Sequence, residues 1–388
     1  MVEKGCTSHM GSLSNAKNPS PFTPAASAQR HVTLADGRVT LFHRIGNGAF
    51  GELFVGIDKH TNSKVAVKLE KRNASHPQLS YESRVYRLLH SENNNPVGIP
   101  KVHFFISDSS YNMLGMELCG PSLEDLFNYC GRRFSVKTVC MIAHQMIHRI
   151  EFVHSKGLLH RDIKPENFVL GDACTAHVLY LIDFGLGKLF WDRKRQTHIP
   201  FCEGKSITGT VRYCSTWTHK GFEQSRRDDM ESIGFVLVYF MLGWLPWQGT
   251  MVRDPMQKST VIGEKKNSTT LESLCKGLPE EILQYCTYCR KLGFTDRPDY
   301  DYLRGLFLQL ARRHHVSAHP QESAKKGGMY SITSSMNSSR ATGRGGLNGV
   351  EYDWMFDWFS KRTREKSGSP WHTPNVKRQV KLRASEIR

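Results

Sequence analysis

One constellation limits what this chain can become more than any other: His160-Arg161-Asp162-Ile-Lys164-Pro-Glu-Asn167, then an apolar stretch, then Ile182-Asp183-Phe184-Gly185. The first run sets a carboxylate, an amine and a carboxamide close together, and its proline prevents a regular helix from passing through them. The second adds another carboxylate beside a glycine. A chain that uses these groups jointly must bring two turns, separated by an apolar strand, to one point.

Upstream, Gly46-Asn-Gly48-Ala-Phe50-Gly51 joins two strand-like runs, Leu41–Ile45 and Glu52–Gly56. Missing side chains let backbone N–H groups approach phosphates. A dinucleotide-binding turn leads into a helix, whereas this one leads into a second strand. Val65-Ala-Val-Lys68-Leu then reads as a β-branched strand presenting one lysine among apolar neighbours. Glu82, in the helical run Tyr81-Glu-Ser-Arg-Val-Tyr-Arg-Leu-Leu, offers that lysine a carboxylate. Taken singly, each is an ordinary surface position.

In this order and at this spacing, the features resemble those of protein kinases. The resemblance implies that Asp162 accepts the proton of a substrate hydroxyl and that Lys164 neutralises charge on the transferred phosphoryl. Lys68, held by Glu82, would seat the α- and β-phosphates, and Asn167 and Asp183 would be hard oxygen ligands for Mg²⁺. The expected catalytic residues are therefore Asp162, Lys164, Lys68 and Glu82. ATP is expected against Ile45, Gly46, Asn47, Gly48, Ala49, Phe50, Gly51 and Lys68. Lysine two residues after the aspartate is the Ser/Thr pattern.

Longer motifs narrow the resemblance. His76-Pro-Gln-Leu, Met116-Glu-Leu-Cys-Gly-Pro-Ser-Leu-Glu-Asp-Leu-Phe127, Ile150-Glu-Phe-Val-His-Ser-Lys156, His198-Ile-Pro, Thr208-Gly-Thr-Val-Arg212-Tyr, Glu223-Gln-Ser-Arg-Arg-Asp-Asp229 and Leu245-Pro-Trp-Gln-Gly249 are similar to the casein kinase 1 family. The likeness runs over 39–313 and returns at 351–358. It implies an α+β, bilobal protein kinase fold, with a small β-rich N-lobe carrying one helix and a larger helical C-lobe. It makes Met116 the gatekeeper and runs the adenine-binding hinge from Glu117 to Cys119. Asp229 would cap the central helix and brace the catalytic loop. The family's preference for acidic or phospho-primed protein substrates implies an anion pocket at Arg212, Gly249 and Lys258, and a second cluster at Arg161, Lys188 and Lys205. Where relatives carry Ser-Ile-Asn in place of Ala-Pro-Glu, this chain reads Ser215-Thr-Trp217, which is expected to alter the floor of the peptide groove.

Composition sets the remaining expectations. With 39% hydrophobic residues in 388, the chain can build one large two-lobed domain. Organisation is expected as an N-terminal extension over 1–35, disordered for want of apolar residues, and a catalytic domain over 36–315. A Gly/Ser-rich insertion would follow over 316–349, then a docking segment at 350–359 and a basic tail over 360–388. A net charge of +17 demands anionic partners, and Lys361–Arg388 holds nine basic residues against two acidic ones. Nucleic acid is not an expected partner, because no aromatic-interleaved basic surface accompanies the charge.

The ten cysteines, with no leader read ahead of them, are expected as reduced thiols, and Cys286-x-x-Cys289 as helix positions rather than half a zinc site. The uncharged run Ser232–Val252 is broken by Pro246 and is expected to be a buried core helix, not a membrane span. A monomer is expected, placed in the cytoplasm with the nucleus as a second compartment. Two other readings stand beside the active kinase: a pseudokinase or scaffold, which the presence of Lys68, Asp162 and Asp183 opposes, and a nucleic-acid-binding protein.

Overall fold

Alternating apolar side chains on short β-branched runs build the first half of the domain. Val39 and Leu41, then Val65, Val67 and Leu69, bury one face together with Phe104 and Met113, as the two-residue period of a pleated strand requires. The computed structural model describes residues 32–48, 51–91, 95–172, 174–314 and 352–364. Ala49 and Phe50 of the glycine-rich turn lie outside the described residues, as do most of the expected extension, the 316–349 insertion and the tail beyond Arg364.

Six strands form one antiparallel sheet: β1 (Val32–Leu34), β2 (Val39–Gly48), β3 (Gly51–Asp58), β4 (Ser63–Lys71), β5 (Val102–Ser107) and β6 (Tyr111–Glu117), in the order β1-β2-β3-β4-β6-β5. β1 falls inside the stretch expected as an extension to residue 35. Helix α1 (Leu79–Leu89) follows β4 and buries Leu79, Val85, Tyr86 and Leu89.

The second half is helical, as its longer period predicts. It comprises α2 (Leu123–Tyr129), α3 (Val136–Ser155), α4 (Thr216–His219), α5 (Arg226–Leu242), α6 (Pro255–Ser268), α7 (Leu271–Leu274), α8 (Glu280–Lys291) and α9 (Tyr300–Arg313). Between α3 and α4 run short ladders: β7 (Leu158–Leu159) with β10 (Lys188–Leu189), β8 (Phe168–Leu170) with β9 (Leu179–Leu181), and β11 (Trp191–Asp192) with β12 (Thr197–His198). After a charged first turn and a half, α5 is apolar around its circumference from Ile233 onward; it is buried from Arg227 to Met241 and packed on α3 and α8. Of the uncharged run expected as one core helix, Ser232–Val252, only the part to Leu242 is helical, since Gly243 turns the chain at φ +88°; among the described residues no helix is long and apolar enough to cross a membrane. Cys286 and Cys289 are buried on α8.

The segment from Tyr352, ending in α10 (Asp357–Arg364), docks on the start of α3. The Asp357 carboxylate accepts from Ser135 N and Oγ, both at 2.7 Å, and Lys137 Nζ meets Asp353 at 2.5 Å. Tyr352, Phe356 and Trp358 are buried against the lobe, which is worth about 1.5–3 kcal/mol for each large side chain.

Candidate active site

The two turns of the starting constellation meet through the β8–β9 ladder, which pairs Phe168 with Leu181. Ile182 N donates to Asn167 O at 2.9 Å, so Asn167 and Asp183 stand at the same end of the ladder. Arg161 and Asp183 both hold left-handed backbone, φ 67° and 65°, a costly conformation for non-glycine residues that the surrounding contacts must enforce. The enforcing group at Arg161 is Asp229 on α5. Its carboxylate accepts from His160 N at 2.9 Å and Arg161 N at 2.8 Å, while His154 Nε2 lies at 2.9 Å. The bracing expected of Asp229 is therefore present. The expected capping is not: Ser225 is the N-cap, and the neighbouring Asp228 accepts from Ser225 N at 2.7 Å.

Asp162 is buried, and both of its carboxylate oxygens are engaged. Oδ2 meets Lys164 Nζ at 2.5 Å, and Oδ1 accepts from Thr210 N at 2.8 Å and Thr210 Oγ1 at 2.7 Å. Asn167 Nδ2 donates to Asp162 O at 2.8 Å, which fixes the carboxamide. Lys68 Nζ reaches Glu82 Oε2 at 2.7 Å and Asp183 Oδ1 at 2.9 Å. Burial pulls the Lys68 ammonium down, but the charges of Glu82 and Asp183 outweigh it and hold the amine protonated. Burial pushes the Glu82 carboxyl up, with Lys68 opposing. Asp183 ends below the usual carboxylate range because Lys68 overcomes its burial. A cleft of about 1140 Å³ opens over these groups, lined among others by Gly51, Asp162, Lys164, Asp183 and Thr208.

Residues 39–301 match the protein kinase domain among known families. The chain belongs to the protein kinase domain family. It is a kinase by that membership, and protein substrates and ATP come with it.

The kinase's glycine-rich turn is the β2–β3 hairpin, with Gly46 paired to Leu53, Asn47 to Glu52 and Gly48 to Gly51. At Gly51, φ is +144°, and a Cβ there would stand 2.1 Å from Leu69 O, so no other residue fits. Ile45 lies half-exposed at the mouth of this hairpin. Met116 is buried on β6 opposite Ala66, and β6 ends at Glu117, whose carbonyl receives Cys119 Sγ–H at 3.9 Å. Burial pushes the Cys119 thiol far up, so it is no thiolate. The donor set suits a magnesium nucleotide. Asn167 and Asp183 carry hard oxygens, and the Lys68 ammonium stands beside Asp183, which lines the cleft.

The expected second anion cluster is assembled, but around a carboxylate. Lys188 Nζ sits 2.9 Å from Glu223 Oε1 and Lys205 Nζ 3.4 Å from Oε2, so Glu223 neutralises part of their charge. Arg161 Nε donates to Leu186 O at 2.7 Å. Of the first pocket, Arg212 lies beside Tyr213, with Nη1 3.4 Å from its hydroxyl, Gly249 turns at φ +73°, and Lys258 stands exposed. Lys258 belongs to helix α6, which begins at Pro255.

Trp217 packs on Arg227, whose guanidinium carbon is 4.2 Å from the ring centre, and on Phe222. The adjoining backbone is held by other residues, from α5 and α8. Glu231 Oε2 accepts from Thr216 N at 2.8 Å, while Oε1 pairs with Arg290. Sequence reasoning missed Glu231, and it missed Glu70 as well. Glu70, two residues after Lys68 on β4, accepts from Gln78 N at 2.6 Å, Leu79 N at 3.0 Å and Asn112 Nδ2 at 2.9 Å. It thereby holds the start of α1, the helix that carries Glu82. The one available signal was negative: α1 has no N-cap side chain of its own.

Proposed function

We propose that this chain is an active Ser/Thr protein kinase of the casein kinase 1 type, acting on acidic or phospho-primed proteins. The observation that carries the reading is the clamp on Asp162. Thr210, from the segment after Asp183, reaches the carboxylate with its own amide and hydroxyl, so that segment needs no added phosphate to engage the catalytic loop.

Mg²⁺, bound at Asn167 and Asp183, would neutralise charge on the ATP phosphates as the γ-phosphoryl leaves. The chain's own residues do the rest. Lys68 holds phosphate oxygens and is kept protonated by Glu82. Asp162 orients the substrate hydroxyl and takes its proton, and Lys164, on the same carboxylate, faces the developing charge. Main-chain groups of Glu117 to Cys119 are the adenine contacts in this reading. Arg212, Gly249 and Lys258 would receive the substrate's acidic or phosphorylated residue.

The test is turnover of paired peptides with Mg-ATP, one carrying phosphoserine three residues before the acceptor. The expected preference for the primed peptide is about 10- to 100-fold in kcat/KM, or about 1.4–2.8 kcal/mol. Combining Arg212→Ala with Lys258→Ala should erase most of it, while costing the unprimed acidic peptide, which brings a single carboxylate charge to the pocket, much less. A double variant that discriminates as well as the wild type would move the pocket elsewhere. Absence of transfer to any peptide would favour the pseudokinase reading.

A further inference from the structure

The backbone of Val211–Cys214, which follows Thr210 and carries Arg212, is held from beneath by side chains remote in sequence. Lys266 Nζ donates to Val211 O at 2.9 Å and to Cys214 O at 2.6 Å. Trp247 Nε1 donates to Arg212 O at 2.8 Å. Lys266 sits near the end of α6 and is only 1% exposed. Its ammonium lies 5.1 Å from the ring centre of Phe235 and 5.2 Å from that of Trp247. Among the described residues no carboxylate pairs with it.

Burying an ammonium without a counter-ion is expensive, and an apolar residue of similar size would fill the space at lower cost. What the lysine alone does here is draw two carbonyls, three residues apart, to a single point under the segment. Above that point the Arg212 guanidinium lies against Tyr213, with Nη1 3.4 Å from its hydroxyl and the guanidinium carbon 5.6 Å from its ring centre, so the height of this backbone sets where the arginine stands.

We infer that Lys266, assisted by Trp247, is a positioning residue for the protein substrate: it sets the height of Val211–Cys214 and so aims Arg212, leaving the nucleotide site untouched. The inference rests on the kinase reading above and names the residue beneath its substrate groove. Glu231 and Asp228 act on the next stretch, Ser215–Thr216. Lys266 therefore governs a separate part of the same floor.

The test compares the wild type with Lys266→Met, which keeps length and loses the donor, and Trp247→Phe, which keeps a ring and loses one hydrogen bond. Lys266→Met should lower kcat/KM for the primed acidic peptide by about 10- to 100-fold, and Trp247→Phe by about 3- to 10-fold, with KM for ATP within about twofold of wild type in both. Adding Arg212→Ala to Lys266→Met should cost less than Arg212→Ala costs alone, because the two act through one guanidinium. Equal losses for ATP and peptide, or a fully multiplicative double variant, would overturn the inference.

If Lys266→Met does not fold, wild-type peptide kinetics in Trp247→Phe would overturn it equally. Dissociation constants of the primed peptide, measured on the full chain without turnover, separate the two ideas. A wild type that binds but never phosphorylates refutes the kinase reading. Unchanged peptide binding in Lys266→Met and Trp247→Phe refutes the positioning role.

Discussion

Replacing Glu70 by methionine keeps the length of the side chain on β4 and removes the acceptor that holds the start of α1. Three donors lose their partner: Gln78 N, Leu79 N and Asn112 Nδ2. Hydrogen bonds to a charged group contribute about 1.5–3 kcal/mol each, and loss of a helix cap costs about 0.5–2 kcal/mol. These terms overlap at one site, and we expect a net loss of about 3 kcal/mol, a fall in Tm of about 5 °C for a domain of this size. The loss is local to the helix that carries Glu82, so the Lys68–Glu82 contact loosens first, and KM for ATP should rise about 5- to 20-fold. Glu70→Gln should fall between, since an amide oxygen still accepts from the two backbone N–H groups but without charge. The assays are thermal melting and steady-state kinetics with ATP varied. A Glu70→Met protein with wild-type KM for ATP and a Tm within about 1 °C would refute the idea that this carboxylate latches α1.

Asp162→Asn and Asp183→Ala should each abolish phosphoryl transfer and leave a folded protein by circular dichroism; turnover above about a tenth of wild type in either would contradict the assignment. Protein made in bacteria and then treated with phosphatase should keep most of its activity, and Thr210→Val should lose most of it, because the link to Asp162 is the unmodified hydroxyl. A requirement for an upstream kinase would count against both. Stability should fall on mild acidification. Burial, with nearby Arg304 for His144 and Lys266 for His219, lowers both imidazoles to about 4. The unfolded chain, with histidines near about 6.5, binds more protons between those values, so stability present at neutral pH is lost as pH drops from about 6.5 toward 4, by about 1–3 kcal/mol per histidine. Melting curves across that range should be less steep in pH for His144→Phe, and an unchanged slope would refute the account.

The nucleotide side of the site was legible because its residues are set by local rules. A glycine that must accept a positive φ, a lysine on a β-branched strand and two short turns closing one ladder all declare themselves within a few positions. Apolar residues at helical spacing mark α3 and α9, and an apolar run marks α5 from Ile233 onward. α6 carries no such mark beyond the helix start at Asp254 and Pro255, because it buries only Ile262, Gly263 and Lys266 and so shows no apolar stripe.

What the chain alone determined, then, was the kinase constellation and the two-lobed order of strands before helices, since backbone conformation and apolar period are properties of neighbouring residues. Only the tertiary structure decided which charges act together. It placed Glu223 between Lys188 and Lys205, Glu70 under α1, Glu231 against Thr216, and Lys266 under Val211 and Cys214. A carboxylate or ammonium carries no mark of its partner. The pairing is chosen when burial removes water and leaves a group from a distant segment as the nearest one able to satisfy it.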